Sequence, residues 1–299
     1  MRIRPFDYRV ATSLADALSQ LDRFGSDAKV IAGGTDLVLS MKKKKTLPRV
    51  VISLHTHRDL NFVAEDPKDS TLRIGALCNH ADLAAHPLLG RRCPILCEAV
   101  GLIGSWQIRN VGTIGGNICT ASPAADSVPP LLALDADVVI ATPQGENDMP
   151  LTSFFRGPGA TVLEPNQILK EIRIKPSRNR SAGCYLKLRR RKAVDVSLAG
   201  VAFQAETDAA GERVNKVGIA LGGVAPTPIR VPEAEALLTG LSLDEALQKI
   251  PECAAAAVDA AKPIDDVRAS ADYRRTIVDV FMRRGAQRVL MCLKNGGGR

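Results

Sequence analysis

The stretch VIAGGTDL, residues 30–37, joins an apolar segment to a helical pattern and decides what kind of fold is expected. The preceding AKVIA is typical of a buried strand, and LVLSMK after it has helical character, so Gly33 and Gly34 lie at a strand-to-helix turn. Glycines there carry no Cβ and permit positive φ, which lets successive N–H groups converge on an oxyanion. Thr35 adds a hydroxyl donor, and the helix start adds its positive end. A pyrophosphate is the natural ligand for such a motif, but for an isolated glycine pair a tight turn without a ligand is the more common explanation.

A second glycine-rich stretch, VGTIGGN at residues 111–117, repeats the pattern around Thr113. Two such loops at strand ends predict a dinucleotide that is clamped from both sides. Neither loop has the GxGxxG spacing of a Rossmann site, and the chain has no GxxxxGK[ST] phosphate loop. Asp126, nine residues beyond Asn117, fits either a ribose contact or a helix cap.

The rest of the chain alternates strand and helix patterns without a regular βαβ period, which predicts an α+β fold. Ser13 and Asp16 predict the start of a helix that Gly25 ends. The expected strands are RVVISL, TLRIGAL, ILKEIRI, CYLKLRR, VSLAGVAFQAE and NKVGIALGGV. The expected helices are NHADLAAHPLL, ILCEAVGLIG, PEAEALLTG, LDEALQKI and residues 271–293.

The charged segment KPSRNRSAG, residues 175–183, is broken by Pro176 and Gly183 and predicts a linker. We therefore expect one domain at residues 1–176 and a second at 177–294, the latter with a three-stranded sheet backed by helices. The tail at residues 295–299, which contains the glycine run 296–298, lacks apolar periodicity and is expected to be disordered.

Composition excludes several classes of protein. The 299 residues are 45% hydrophobic, with no apolar run long enough for a membrane span and no secretory signal, so a soluble cytoplasmic protein is expected. The seven cysteines are scattered without a CxxC pair, which favours reduced thiols. The formal net charge is +8, but only 4% of residues are aromatic and no nucleic-acid motif is present, so we expect no nucleic-acid partner.

Five stretches together resemble the FAD-binding medium subunits of molybdenum hydroxylases, the family of xanthine dehydrogenase, carbon monoxide dehydrogenase and hydroxybenzoyl-CoA reductase. The resemblance covers nearly the whole chain, and the stretches occur in the family's order and spacing. They are VIAGGTDL at 30–37, RNVGTIGGNICTASPAAD at 109–126, the lysine and arginine tract at 187–191, ALGGVAPTPIR at 220–230 and YRRTIVDVFMRR at 273–284.

The resemblance implies a two-part FAD-binding domain of the vanillyl-alcohol oxidase (PCMH) type, followed by a smaller α+β domain of the carbon monoxide dehydrogenase flavoprotein type. It also implies an oxidoreductase subunit whose FAD exchanges electrons with [2Fe-2S] clusters in a small subunit. A large subunit would carry the molybdenum cofactor, and the whole would form a dimer of heterotrimers. An external acceptor such as NAD would complete the reaction.

Residues carried over from the family's motifs form a cofactor-binding set. In the family, residues at these positions surround the pyrophosphate, approach the flavin or bind the ribose or adenylate end. The resemblance implies no catalytic residue and no metal ligand in this chain. The set is Val30, Ile31, Ala32, Gly33, Gly34, Thr35, Asp36, Leu37, Ile103, Thr113, Ile114, Gly115, Gly116, Asn117, Asp126, Leu169 and Lys187.

Two departures from the family narrow these expectations. Hydroxybenzoyl-CoA reductase members insert a cysteine-rich loop for a [4Fe-4S] cluster, whereas here Cys119 runs directly into TASPAAD, so we expect no iron in this subunit. Animal xanthine dehydrogenases have acidic residues just after the paired arginines, whereas this chain has Ala193 and Val194 before Asp195. The acceptor and the organic substrate therefore stay open.

Other features and functions remain as alternatives. His55 and His57 could ligate a metal, but a polar strand end is the simpler interpretation. The cluster Lys42 to Lys45 fits a solvated helix end, or a surface that steers an acidic partner. A self-contained flavin oxidoreductase of the same fold is the main competing function, and a scaffold without cofactor is a third.

Overall fold

The computed structural model describes residues 3–191 and 194–298, and within them the chain forms three larger sheets surrounded by helices. The strands are β1 (Asp7–Val10), β2 (Ala28–Ile31), β3 (Val50–Ser53), β4 (Val63–Glu65), β5 (Leu72–Gly75), β6 (Asp137–Thr142), β7 (Gly145–Pro150), β8 (Phe155–Gly157), β9 (Ala160–Thr161), β10 (Ile168–Ile174), β11 (Ser181–Leu188), β12 (Ala199–Thr207), β13 (Val214–Gly222) and β14 (Ile229–Arg230). This mixed content matches the predicted α+β class.

Helices occupy the segments between these strands and cover the sheets. They are α1 (Leu14–Phe24), α2 (Leu37–Lys42), α3 (His80–Ala85), α4 (Pro87–Arg92), α5 (Pro94–Gly101), α6 (Trp106–Val111), α7 (Ile114–Cys119), α8 (Val128–Ala133), α9 (Pro232–Ala236), α10 (Leu243–Gln248), α11 (Ile250–Ala260) and α12 (Ala271–Lys294). In the described part of the chain, none of them has the length and apolar content that a membrane span requires.

The first module is a parallel three-stranded sheet with the order β1-β3-β2, packed against α1. Helix α1 begins as predicted, because the Ser13 side chain accepts from the Asp16 N–H, and it ends at Gly25. The Asp16 carboxylate reaches back to the Thr12 N–H at 2.8 Å, one residue earlier than a capping box would place it. Strand β2 leads directly into the first glycine loop.

The second module is an antiparallel sheet with the order β4-β5-β10-β6-β7, covered by helices α3 to α8. The predicted single helix NHADLAAHPLL is wrong, since α3 ends at Ala85 and α4 restarts at Pro87. Proline at position 87 disfavours helical φ and ψ at His86, which is extended with ψ 119°, and it suits the first turn of the next helix.

The third module carries a sheet of four strands, in the order β11-β12-β13-β14, against α9 to α12. The expected three strands are present, and the sequence analysis missed the short β14, which pairs with β13 through only two residues. Asn295 caps α12, and the Gly297 N–H donates to the Cys292 carbonyl at 2.8 Å. Residue 299 of the expected disordered tail lies outside the described residues.

The third module is joined to the second by side-chain contacts as well as by the chain. Arg230 on β14 donates to the Leu132 carbonyl and the Asp135 carboxylate. The Gly223 N–H donates to the Pro123 carbonyl at 2.7 Å. These contacts hold β13 and β14 against α8, so the segment from Pro123 to α8 is fixed from both sides.

Candidate functional site

A cavity of about 680 Å³ lies between the first and second modules. Most of the predicted cofactor-binding residues line it, and three of the set do not: Ile114, Asp126 and Lys187. Those that do are Val30, Ile31, Ala32, Gly33, Gly34, Thr35, Asp36, Leu37, Ile103, Thr113, Gly115, Gly116, Asn117 and Leu169. The volume falls within the range of cofactor pockets.

The first glycine loop presents unpaired N–H groups to this cavity. Within the described residues, the four consecutive N–H groups from Gly33 to Asp36 have no hydrogen-bond acceptor. Gly34 has φ +72°, a left-handed conformation that turns successive amides toward one side. Helix α2 has only six residues, so the amides themselves, more than a helix dipole, provide the positive end. Such a row of donors suits a pyrophosphate.

Gly33 is a glycine for a reason that the sequence did not show. A Cβ at Gly33 would lie 1.8 Å from the carbonyl oxygen of Val111, at the end of α6. The absent side chain therefore allows the two glycine segments to touch each other, as well as opening the backbone to a ligand. The Asp36 carboxylate also lies 3.4 Å from the Thr120 hydroxyl, which is a further link between the two segments.

The second glycine segment does not lie at a strand end, and this prediction is wrong. It forms α7, which Thr113 caps by accepting from the Gly116 N–H at 3.1 Å. The Ile114 and Gly115 N–H groups donate to the Cys78 and Ala76 carbonyls, both at 2.9 Å. The N–H groups from Ile114 to Asn117 are all used inside the protein, so this segment cannot offer them to an anion.

Close packing explains the glycine at position 115. A Cβ there would lie 2.6 Å from the Cβ of Ala76 and 2.7 Å from its carbonyl oxygen. Ile114 points away from the cavity and is fully buried in the core of the second module. Asn117 accepts from the Ser127 hydroxyl at 2.7 Å through its side-chain oxygen, which leaves its amide N–H2 available to a ligand in the cavity.

Asp126 and Lys187 form a buried ion pair outside the cavity lining. The Lys187 ammonium donates to Asp126 at 2.7 Å and to the Leu102 carbonyl at 3.2 Å, and the Tyr185 hydroxyl donates to Asp126 at 2.9 Å. The Lys187 and Asp126 side chains are 1% and 7% exposed. Burial raises the pKa of the Asp126 carboxyl, and the Lys187 ammonium and Tyr185 hydroxyl oppose that shift.

This ion pair connects the second and third modules and lies behind the part of the cavity wall that Ile103 forms. The helix-cap alternative for Asp126 is wrong, because both carboxylate oxygens accept from β11 side chains. Lys187 holds the Leu102 carbonyl, and the next residue, Ile103, lines the cavity. A direct contact of Asp126 or Lys187 with a cofactor stays a prediction. What the structure shows is that the pair supports the cavity wall at Ile103.

His80 is a cavity residue that the sequence analysis missed. His80 is 2% exposed, and its backbone N–H donates to the Gly112 carbonyl at 3.0 Å. Burial, and to a lesser degree the charge of Arg109, lowers the pKa of His80 to about 4, so its imidazole is neutral near pH 7. No local pattern marks this histidine, because its position depends on a turn 32 residues further along the chain.

The remaining candidates behave as ordinary surface or core groups. His57 is 6% exposed and lies 3.6 Å from Asp59, and the described residues contain no group of three or more side chains arranged for a metal ion. Lys42 to Lys45 are exposed at the end of α2, as the helix-end interpretation predicted. Burial raises the pKa of the Cys119 thiol, which lines the cavity, to about 12.

The cavity fits FAD on three observations. Its volume suits a large cofactor, its first loop supplies four unpaired amides for a pyrophosphate, and its walls are apolar where Ile103 and Leu169 line it. Gly33, Gly34 and Thr35 are partly exposed and Asp36 is exposed, so their unpaired amides are accessible and could donate to a bound anion. These residues could hold the dinucleotide without any rearrangement of the second segment.

Family comparisons agree with this architecture. Residues 4–177 match the family model described as "FAD binding domain in molybdopterin dehydrogenase". Residues 184–289 match the "CO dehydrogenase flavoprotein C-terminal domain". Together the two families account for most of the chain, and they occur in the order that the motifs predicted.

Individual relatives are similar along almost their full length. The chain is 33% identical over 279 residues to the carbon monoxide dehydrogenase medium chain of Hydrogenophaga pseudoflava, covering 93% of this chain and 95% of that protein. It is 31% identical over 278 residues to the xanthine dehydrogenase FAD-binding subunit of Escherichia coli O157:H7, covering 93% of each. A solved carbon monoxide dehydrogenase from Hydrogenophaga pseudoflava superposes with a TM-score of 0.90 at 34% identity, covering 98% of this chain and 99% of that one.

Proposed function

This chain belongs to the family of FAD-binding medium subunits of molybdenum hydroxylases, and from that premise we propose that it relays electrons between a partner's iron–sulfur clusters and an external acceptor. The observation that carries the proposal is the row of four unpaired amides from Gly33 to Asp36 in a cavity of about 680 Å³. FAD, when bound, supplies both one-electron and two-electron chemistry. The protein's own residues bind it, orient it and tune its surroundings.

Three groups of residues would bind and orient the cofactor. The amides of the first loop would hold the pyrophosphate, and Asn117 would direct its amide donor at the cofactor. Ile103 and Leu169 would exclude water from one side. The ion pair of Lys187 and Asp126 would keep the Leu102 to Ile103 wall in place.

The names of the relatives support a proposal about partners. The similar proteins are named as a medium chain and as an FAD-binding subunit, so each is one part of a larger assembly. We infer a large molybdenum-cofactor subunit and a small [2Fe-2S] subunit, arranged as a dimer of heterotrimers, with NAD as one candidate acceptor. The relatives named here act on carbon monoxide and xanthine, so the likeness selects no substrate.

A cytoplasmic location is part of the same proposal. All seven cysteines are unpaired in the structure, and four of them are buried. Unpaired thiols persist in a reducing compartment, where the cofactor-bearing partners would also assemble.

The test is to purify the chain from its native host, together with what accompanies it, and to measure FAD and subunit stoichiometry. We expect one FAD per chain, with a molybdenum subunit and an iron–sulfur subunit in equal amounts. Anaerobic NADH should then reduce the iron–sulfur centres, seen by electron paramagnetic resonance, only when FAD is present. A chain that purifies alone with FAD and reduces its own organic substrate would establish the self-contained oxidoreductase instead.

A further inference from the structure

The imidazole of His80 is a buried polar group without a hydrogen-bond partner. His80 is 2% exposed, and within the described residues neither of its ring nitrogens takes part in a hydrogen bond. The polar side chains beside it in sequence, Asn79 and Asp82, bond to each other instead. Most buried side-chain polar atoms are paired, so an unpaired imidazole needs an explanation.

The His80 ring is part of the cavity wall. His80 and Gly112 both line the cavity. The Cδ2–Nε2 edge of the ring lies beside Gly112, because a Cβ built on that glycine would be 3.3 Å from Cδ2 and 3.7 Å from Nε2. Gly112 follows Val111, whose carbonyl contacts Gly33 in the first glycine loop. The imidazole therefore belongs to the part of the wall that adjoins the proposed pyrophosphate site.

The two ring nitrogens of His80 differ in their surroundings. Nδ1 is fully buried without a partner, whereas Nε2, which also lacks one, keeps some accessible surface. A buried N–H group without an acceptor is rarer in proteins than an acceptor without a donor. We therefore expect the hydrogen of the neutral ring on Nε2, which makes Nε2 a donor. Burial lowers the pKa of His80 to about 4, so this donor carries no charge near pH 7.

His86 provides a comparison within the same chain. Its Nδ1 is also buried without a partner among the described residues. It stands between α3 and α4, however, and is not among the residues that line the cavity. An unpaired nitrogen alone therefore does not indicate a ligand. At His80 the unpaired ring and the place in the cavity wall occur together.

Resting on the proposed function, which places FAD in this cavity, we propose that His80 binds the cofactor directly by donating its Nε2–H to an oxygen of bound FAD. FAD offers oxygen acceptors on its phosphates, its hydroxyl groups and its flavin carbonyls. The hydrogen bond would give the buried ring the partner that the protein does not provide. A residue that only packed the wall would need no polar atom, since an apolar side chain avoids the cost of burying one.

The affinity of the full chain, freed of cofactor, for added FAD tests this with three variants. His80→Leu removes the donor at a similar side-chain size and should weaken FAD binding about 10-fold, the effect of one lost hydrogen bond. His80→Gln keeps an amide donor in place of Nε2–H and should bind FAD within about threefold of the unchanged chain. His86→Leu is the matched control, because it removes the other unpaired imidazole. It should leave the affinity unchanged.

Two further measurements separate a contact with FAD from a structural role. Without FAD, His80→Leu should unfold at a urea concentration equal to or above that of the unchanged chain, because it removes an unpaired buried polar group. The chain has four histidines, so the ¹⁵N signals of the His80 ring can be assigned by their loss in His80→Gln. These signals should show the Nε2–H form of the ring, and the Nε2 signal should shift when FAD is added.

The outcomes distinguish this contact from the proposed function. If His80→Leu binds FAD as tightly as the unchanged chain, or if the Nε2 signal does not respond to FAD, His80 does not bind the cofactor although the relay stands. If His80→Leu loses stability without FAD as well as affinity, the imidazole has a structural role and the contact is overturned. If the unchanged chain does not bind FAD at all, both proposals fail.

Discussion

The first and second glycine segments resemble each other in sequence, but their backbone amides have opposite uses. From Gly33 to Asp36, four consecutive N–H groups have no acceptor within the described residues. From Ile114 to Asn117, each N–H group donates to a carbonyl or hydroxyl of the protein. The amides of the first segment are available for the anion that we propose, whereas the amides of the second hold together the wall that Gly33 contacts.

The comparison shows what a glycine pair can and cannot predict. Glycine predicts that something approaches the backbone closely, but it does not identify what approaches. At Gly33 the neighbour is the Val111 carbonyl, and at Gly115 it is Ala76. If the first segment binds the pyrophosphate as proposed, a dinucleotide would be held mainly from one side, while the second segment would supply side chains such as Asn117.

Replacing Gly33 should have the largest effect, because this residue joins the two segments. In Gly33→Ala the new methyl group would meet the Val111 carbonyl at 1.8 Å, so the loop must move away from α6. We expect the free energy of unfolding to fall by about 3 to 4 kcal/mol. FAD affinity should fall about 100-fold. Denaturant unfolding and FAD titration measure the two effects.

The control for that variant is Gly90→Ala in α4, where an added Cβ would meet nothing within 4 Å. A helical glycine replaced by alanine should gain about 0.5 to 1 kcal/mol of stability, with unchanged FAD affinity. Equal losses in both variants would show that close packing at Gly33 is unimportant.

Replacing Gly115 should separate stability from binding. The added methyl group would lie 2.6 Å from the Ala76 Cβ, so Gly115→Ala should lower the free energy of unfolding by about 2 to 3 kcal/mol. Because this segment's amides do not face the ligand, FAD affinity should change less than about threefold. A large loss of affinity without a loss of stability would mean that both segments bind the cofactor through their backbones.

A smaller effect is expected at His80, whose backbone N–H donates to the Gly112 carbonyl at the start of the second segment. Burial lowers the pKa of the His80 imidazole from 6.5 to about 4. At pH 5 the imidazole is therefore protonated in the unfolded chain and neutral in the folded chain. Folded stability is therefore lost as pH falls from about 6.5 to about 4, by about 2 kcal/mol at pH 5. His80→Gln should remove this loss. The check is the free energy of unfolding of His80→Gln at pH 7 and pH 5. If this variant loses as much stability at pH 5 as the unchanged chain does, another group is responsible.

Local patterns predicted much of this fold, and contacts between distant residues account for what they missed. The cap at Ser13, the stop at Gly25 and the strand ILKEIRI depend on neighbours in sequence, and all three are confirmed. Strand β14 was missed because its two residues form a strand only by pairing with β13.

The same limit applies to the site. The first glycine loop was identifiable because a strand and a helix flank it directly, although of the strand predicted to be buried only Ala28 is buried. The ion pair of Asp126 and Lys187 joins residues 61 positions apart, so no spacing rule could reveal it. The helical state of the second segment depends on Cys78 and Ala76, which accept its first amides from across the module.

Hydrogen–deuterium exchange with and without FAD is the most direct test of the central claim that the first segment holds the cofactor through its amides. In the chain freed of FAD, amides from Gly33 to Asp36 should exchange rapidly, and those from Ile114 to Asn117 should already be protected. Adding FAD should protect the first set strongly and change the second set little. Protection that appears only in the second set, or no change in the first, would contradict the account.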